Sequence, residues 1–209
     1  MDKKRIVCFG DSNTWGYIPK TKHNRYDENT RWTKLLAKSL PEVEVIEEGL
    51  CSRTLCSFDP RVGKEGKRGW DYLKPCLETH DKIDLLILSL GTNDLADWYD
   101  HTVEDVFEMF VKYVDFIHSF ENWDGSKIEL IVLGLPPIDK DKVANDVKFS
   151  KAPDKCLKLI GYLENYCRDN DIPYVDNSDL TVGGDGVHLT KESHKALAER
   201  LTKAVEALI

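Results

Sequence analysis

Leu85-Leu86-Ile87-Leu88 runs apolar without interruption from Asp84 to Ser89, and the segment closes at Leu90 before Gly91-Thr92-Asn93-Asp94. A strand with one wet face alternates apolar and polar residues, so an unbroken apolar run predicts burial on both faces, as in a parallel sheet covered by helices. Similar short runs occur at Ile6 to Phe9, Val43 to Ile46, Ile128 to Leu133 and Ile172 to Val175, and with Leu85 to Leu90 they predict five strands.

Helical patterns lie between the strands. Val103, Val106, Phe107, Phe110, Val111, Val114 and Ile117 recur at helical spacing, with Thr102 and Asp105 placed as N-cap and N3 residues. Leu197, Leu201, Val205 and Leu208 repeat the pattern behind Thr190. Weaker signals cover Arg31 to Leu40, stopped by Pro41, and Trp70 to Thr79, where Pro75 predicts a helix confined to one side or kinked. Pro136-Pro137 to Ser150 is the one long candidate loop. Strand alternating with helix, without repeat or linker, predicts a single α/β domain over residues 1–209.

Composition removes several function classes. At 41% hydrophobic and 32% charged residues the chain is ordinary for a globular domain, and no apolar run approaches the ~20 residues that span a bilayer, so no membrane partner is expected. A net charge of -8 opposes phosphate backbones, and no basic stripe with interleaved aromatics offsets it, so no nucleic-acid partner is expected. Met1-Asp2-Lys3-Lys4 leads directly into Arg5-Ile6-Val7-Cys8-Phe9 without a signal-peptide pattern, which predicts a cytoplasmic protein. The six cysteines fit free thiols in a reducing compartment, because Cys8 and Cys76 sit in apolar segments and Cys51 and Cys56 lack metal spacing. No metal or organic cofactor is expected, and Cys51 is expected near the site described next.

In an open parallel sheet the loops leaving the carboxyl ends of the strands form the ligand crevice. Gly10-Asp11-Ser12-Asn13 follows the first predicted strand, Gly49-Leu50-Cys51-Ser52 the second, Gly91-Thr92-Asn93-Asp94 the third and Asp185-Gly186-Val187-His188 the last. A serine hydroxyl is a weak nucleophile until a base takes its proton, and an imidazole can take a proton and return it near neutral pH. Ser12 is the candidate nucleophile and His188 the base. Asp185, three residues before His188, can bind the other ring N–H and fix the tautomer. Backbone N–H groups of Ser12 and Ser52 and the amide side chain of Asn93 are the candidate oxyanion donors. Trp15 and Trp98 are candidates to line the pocket or to pack in the core, and Asp11 is expected to bond nearby backbone N–H groups.

Gly-Asp-Ser, Gly-Thr-Asn-Asp and Asp-x-x-His stand in an order that resembles the sequence blocks of the SGNH (GDSL-type) hydrolases over nearly the whole chain. Gly10-Asp11-Ser12-Asn13-Thr14-Trp15-Gly16, Arg31-Trp32, Val45-Ile46-Glu47-Glu48-Gly49-Leu50 and Arg53-Thr54 resemble the bacterial arylesterase/acyltransferase branch. The resemblance implies a flavodoxin-like three-layer α/β/α fold with a five-stranded parallel sheet, and a serine esterase or acyltransferase acting on short acyl esters. It places the catalytic serine on Ser12, the acid and base on Asp185 and His188, and the oxyanion amide on Asn93. It also implies a homo-oligomer. The family usually carries a glycine where Ser52 stands; a serine keeps the N–H but adds a side chain beside the oxyanion.

Two other readings compete. Phe9-Gly10-Asp11-Ser12-Asn13-Thr14 loosely follows the Asp-x-Asp-x-Thr pattern of the haloacid-dehalogenase phosphotransferases, although Asn13 replaces a carboxylate that a hard cation would favour. A catalytically silent ester- or carbohydrate-binding domain would keep the crevice and bind without turnover.

Overall fold

The computed structural model describes residues 3–209. Its single sheet comprises β1 (Lys4–Gly10), β2 (Val43–Gly49), β3 (Leu85–Ser89), β4 (Glu129–Leu133) and β5 (Tyr174–Val175), all parallel, in the order β2-β1-β3-β4-β5. Each expected strand is present. Seven α-helices are found among the described residues: α1 (Ser12–Trp15), α2 (Trp32–Ser39), α3 (Gly69–Thr79), α4 (Val103–Ser119), α5 (Lys140–Val143), α6 (Ala152–Asp169) and α7 (Lys191–Glu206).

Successive strand residues point to opposite faces and seed two cores. Val7 and Phe9 of β1, Leu86 and Leu88 of β3 and Leu130 and Val132 of β4 pack with Leu73, Phe110 and Leu159, from α3, α4 and α6. Ile6, Cys8, Leu85, Ile87, Ile131 and Leu133 pack with Leu36 and Leu197, from α2 and α7. Both faces of β3, at the centre of the sheet, are therefore dry, which is why Leu85 to Leu88 does not alternate. Burying one such side chain contributes about 1.5–3 kcal/mol, so the two apolar layers dominate the folding free energy.

Local signals explain the helix limits. Thr102 Oγ1 accepts from Asp105 N at 3.1 Å and Asp105 Oδ2 accepts from Thr102 N at 2.8 Å, closing a capping box at the start of α4. Thr190 caps α7 through Ser193 N. Of the two outcomes expected for Pro75, a helix confined to one side is not what is found, because α3 runs on both sides of it. Asp71 and Pro75 are exposed, so the carbonyl that loses its intrahelical donor faces water, where it costs least. The long candidate loop holds one helical turn, α5, capped where Asp139 Oδ1 accepts from Lys142 N.

With β1 flanked by β2 and β3, the chain leaves β1 in one direction and β3 in the other. The gap between their carboxyl ends is the switch point at which open α/β sheets bind ligands.

Candidate active site

The turn after β1 is tight. A Cβ on Gly10 would lie 2.0 Å from Thr14 Oγ1 and 2.9 Å from the Ser89 carbonyl, so only glycine lets α1 begin this close to β3. Asp11 caps α1, with Oδ1 accepting from Asn13 N at 2.9 Å. Its carboxyl is buried, and burial pushes it above the usual range despite that bond. The structural role expected for Asp11 fits this placement.

Ser12, the first residue of α1, sets its Oγ 2.9 Å from His188 Nε2. His188 Nδ1 lies 2.9 Å from Asp185 Oδ2, while Asp185 Oδ1 accepts from the backbone N–H groups of Val187 and His188 at 3.1 Å each. Burial alone would raise the Asp185 carboxyl, but the hydrogen bond and charge of His188, with the two N–H groups, hold it down to about 2. An ionised Asp185 takes the Nδ1–H and leaves Nε2 to accept from the serine hydroxyl. The three expected residues thus form one hydrogen-bonded chain across 176 positions of sequence.

Asn13 holds the two ends of that chain together. Its Oδ1 accepts from Leu189 N at 3.0 Å and its Nδ2 donates to the Val187 carbonyl at 3.3 Å, gripping the backbone on both sides of His188. Its own carbonyl accepts from Trp32 Nε1 at 3.2 Å. Arg31, next to Trp32, forms a two-pronged bond to Glu47 of β2 at 2.9 and 3.1 Å, which fixes α2 against the sheet. Tyr17 stacks on His188 with ring centroids 4.3 Å apart, and His23 meets the Tyr17 ring edge-on at 5.9 Å. Neither Asn13 nor Tyr17 stands out as a site residue in the sequence.

Ser52 sits at φ +66, the left-handed region in which glycine is favoured. The serine therefore holds a backbone conformation that glycine adopts more readily, and its turn is fastened from the loop after β3. Asp94 Oδ2 accepts from Leu55 N at 2.7 Å and Asp94 Oδ1 accepts from Ser57 Oγ at 2.7 Å. Arg53 donates to the Gly10 carbonyl at 3.0 Å and to the Glu48 carbonyl, joining this turn to the ends of β1 and β2. Among the described residues, the backbone N–H groups of Ser12 and Ser52 have no carbonyl partner.

Asn93 Nδ2 donates to the Arg53 carbonyl at 3.1 Å and reaches Asp11 Oδ2 only at a long 3.5 Å. Lys148 Nζ donates to Asn93 Oδ1 at 2.6 Å, which fixes which way the amide faces. Ser12, Ser52, Asn93 and His188 share one cavity of about 290 Å³, and Cys51 also lines it, as its place in the second loop predicts. Trp15 and Trp98 are not among the lining residues. Trp15 packs against Tyr17 and under Arg25, and Trp98 lies under Arg61, so each supports a residue outside its own ring.

The phosphotransferase reading meets an obstacle here. Its nucleophile would be Asp11, whose carboxylate is spent on the α1 cap, and its second ligand position is Asn13, whose amide grips the His188 loop. Neither residue lines the cavity. Among the described residues, one cluster of potential metal ligands occurs, Glu48, Cys76 and His80. None of the three lines that cavity, and Glu48 already pairs with His80 and Arg53.

The model of the GDSL-like lipase/acylhydrolase family matches residues 8–196. The solved structure of Est24, a carbohydrate acetylesterase from Sinorhizobium meliloti, is similar at TM-score 0.90 and 29% identity, covering 99% of this chain and 100% of that one. The native aryl esterase of M. smegmatis is similar at TM-score 0.90 and 30% identity, again over 99% and 100% of the two chains. A putative arylesterase from Agrobacterium tumefaciens str. C58 shares the fold at TM-score 0.86 and 24% identity, over 99% and 100%. A search of curated proteins returned no match.

Proposed function

We propose, on the premise that this chain belongs to the GDSL-like lipase/acylhydrolase family and is a carboxylic ester hydrolase, that it cleaves short-chain esters through an acyl-enzyme on Ser12. The observation that carries the proposal is the Ser12–His188–Asp185 chain, 2.9 Å at each link, at the wall of a cavity of about 290 Å³. His188 Nε2 takes the proton of Ser12 Oγ as the oxygen attacks the ester carbonyl, and Asp185 stabilises the imidazolium that forms. The carbonyl oxygen gains charge and is met by the Ser12 and Ser52 N–H groups and by Asn93 Nδ2. His188 returns its proton to the departing alcohol, and an acyl group remains on Ser12. A water molecule, or a second alcohol, then loses a proton to His188 and attacks the acyl carbon. The step reverses the first and frees the serine.

The volume of the cavity supports a small acyl group, and the acetylesterase relative supports acetyl in particular. The test is a panel of acetyl, butyryl and octanoyl esters of one alcohol, with and without an added acceptor alcohol. The reading expects kcat/KM to fall from acetyl to octanoyl and a transfer product to accompany hydrolysis when alcohol is present. Octanoyl preference with hydrolysis alone would contradict both parts.

The same reading has the enzyme work in the cytoplasm, free of nucleic acid and membrane, with a small ester as its partner. Six free thiols and a net charge of -8 support this, and no helix is long and apolar enough to cross a membrane among the described residues. We further propose a homo-oligomer of closed symmetry. Phe58, Val62 and Val147 support it, being 69%, 98% and 88% exposed on the loops that also carry Arg61, Lys64 and Lys148. Light scattering is expected to give a multiple of the 23.9 kDa chain mass, and a single-chain mass across a wide concentration range would contradict it.

A further inference from the structure

Acidic residues outnumber basic ones, 37 to 29, so an average patch of this surface carries more carboxylates than cations. The reactive cavity reverses that balance. Arg61, Lys64 and Lys148 line it, and no aspartate or glutamate does. All three come from loops that the proposed proton chain does not use.

Two of the three cations are not neutralised by an ion pair of the fold. Among the described residues, Lys64 and Lys148 form no ion pair, whereas Arg61 is held by two hydrogen bonds, of 2.8 and 2.5 Å, to the carboxylate of Asp59, whose side chain is buried. Arg61 lies 4.3 Å from the centre of the Trp98 ring and Lys148 lies 5.7 Å from the same centre, so one indole carries two positive charges. Burial, and then the charge of Arg61, push the Lys148 ammonium down to about 8, against the opposing charges of Asp11, Asp59 and Asp146. The position is also informative, since Lys148 Nζ is 2.6 Å from Oδ1 of Asn93. An anion held there would lie beside the reacting carbonyl, within the length of a small substrate.

We propose that Arg61, Lys64 and Lys148 form an anion subsite in the reactive cavity, and that the preferred substrates are esters bearing a negatively charged group such as a carboxylate. This rests on the esterase reading above for its chemistry, but the subsite itself is a matter of binding. It runs against the net charge of the whole protein, which would repel such a substrate at long range. The local cations must therefore outweigh the far field, as they do inside a low-dielectric cleft.

The test uses matched esters on the full-length chain. On the alcohol side, 4-acetoxybenzoate is compared with 4-acetoxybenzamide, and on the acyl side, the phenyl monoester of adipate with that of its monoamide. Each rate is divided by the ester's own hydroxide-catalysed rate. In one pair the carboxylate member is expected to have a kcat/KM higher by about tenfold, near the lower end of what a hydrogen bond to a charged group contributes. The ratio should fall toward one in about 1 M salt, where the screening length is about 3 Å. It should also fall in Arg61→Met and Lys64→Met variants that melt at the wild-type temperature. Calorimetric binding of 4-hydroxybenzoate against 4-hydroxybenzamide, and of adipate against its monoamide, gives a second readout that needs no turnover. Ratios of one or less in both pairs, with equal binding in each product pair, would overturn the subsite. Tighter binding of the carboxylates with none of the four esters cleaved would uphold the subsite and overturn the esterase reading instead.

Discussion

Ser12→Ala is expected to lower kcat by about 10⁵–10⁶, the loss seen when the nucleophile of a comparable serine–histidine–aspartate site is removed. The residue left behind can neither attack a carbonyl nor hand a proton to His188, and what activity survives comes from the oxyanion donors and binding alone. The expected loss belongs to chemistry and not to folding. Ser12 Oγ is hydrogen-bonded to His188 Nε2, whereas α1 is held by the Asp11 cap and by Gly16 N donating to the Ser12 carbonyl, both of which alanine keeps. Steady-state kinetics beside a thermal melt separate the two. A folded variant that retains even a tenth of wild-type kcat would mean that another group attacks the ester.

Asn93→Ala is the second large effect expected. Removing one oxyanion donor lowers kcat by about 10²–10³, or about 2.7–4 kcal/mol. KM should change little, because the ground-state carbonyl carries far less charge than the tetrahedral intermediate. The surroundings of Asn93 sharpen the expectation. One N–H of Nδ2 is used on the Arg53 carbonyl, and the other has only the long contact to Asp11 to give up when the oxyanion forms. Asn93→Asp should be worse than alanine, since it replaces that donor with a carboxylate facing the developing negative oxygen. A folded Asn93→Ala that keeps kcat while chemistry is rate-limiting, or that only raises KM, would leave the oxyanion to the Ser12 and Ser52 N–H groups.

Much of this geometry is legible in the sequence because its causes are local. Leu85 to Leu88 does not alternate because both faces are covered, and Thr102 with Asp105 closes a box within a single turn. Ser12, Ser52, Asn93 and His188 each follow a strand or precede a helix, so topology alone brings them to one edge. The longest helix among the described residues, α6, has only a weak periodic signal in the sequence. Its seam of Cys156, Leu159, Ile160, Leu163 and Cys167 is interrupted by Gly161 and surrounded by charged residues, and it starts beside a stretch read as loop. The Pro153 in its first turn was the available signal.

Other features have no local signature. Asn13 grips Val187 and Leu189, and Tyr17 stacks on His188, across more than 170 positions. Lys148 lies in a loop without periodicity, and its bond to Asn93 spans 55 positions. The left-handed backbone of Ser52 is a cost of about 1–2 kcal/mol for a residue with a Cβ, and a sequence gives no sign of whether that cost is accepted. The anchors around the turn, Asp94 to Leu55 and Arg53 to Gly10, are what hold it there.

The covalent step is the centre of the account, and a serine-reactive phosphonate tests it most directly. After incubation and proteolysis, mass spectrometry is expected to find the phosphonyl mass on the peptide containing Ser12, at one equivalent per chain, with no label on Ser12→Ala. Label on Cys51 or Lys148, which line the same cavity, or unchanged labelling of Ser12→Ala, would contradict it.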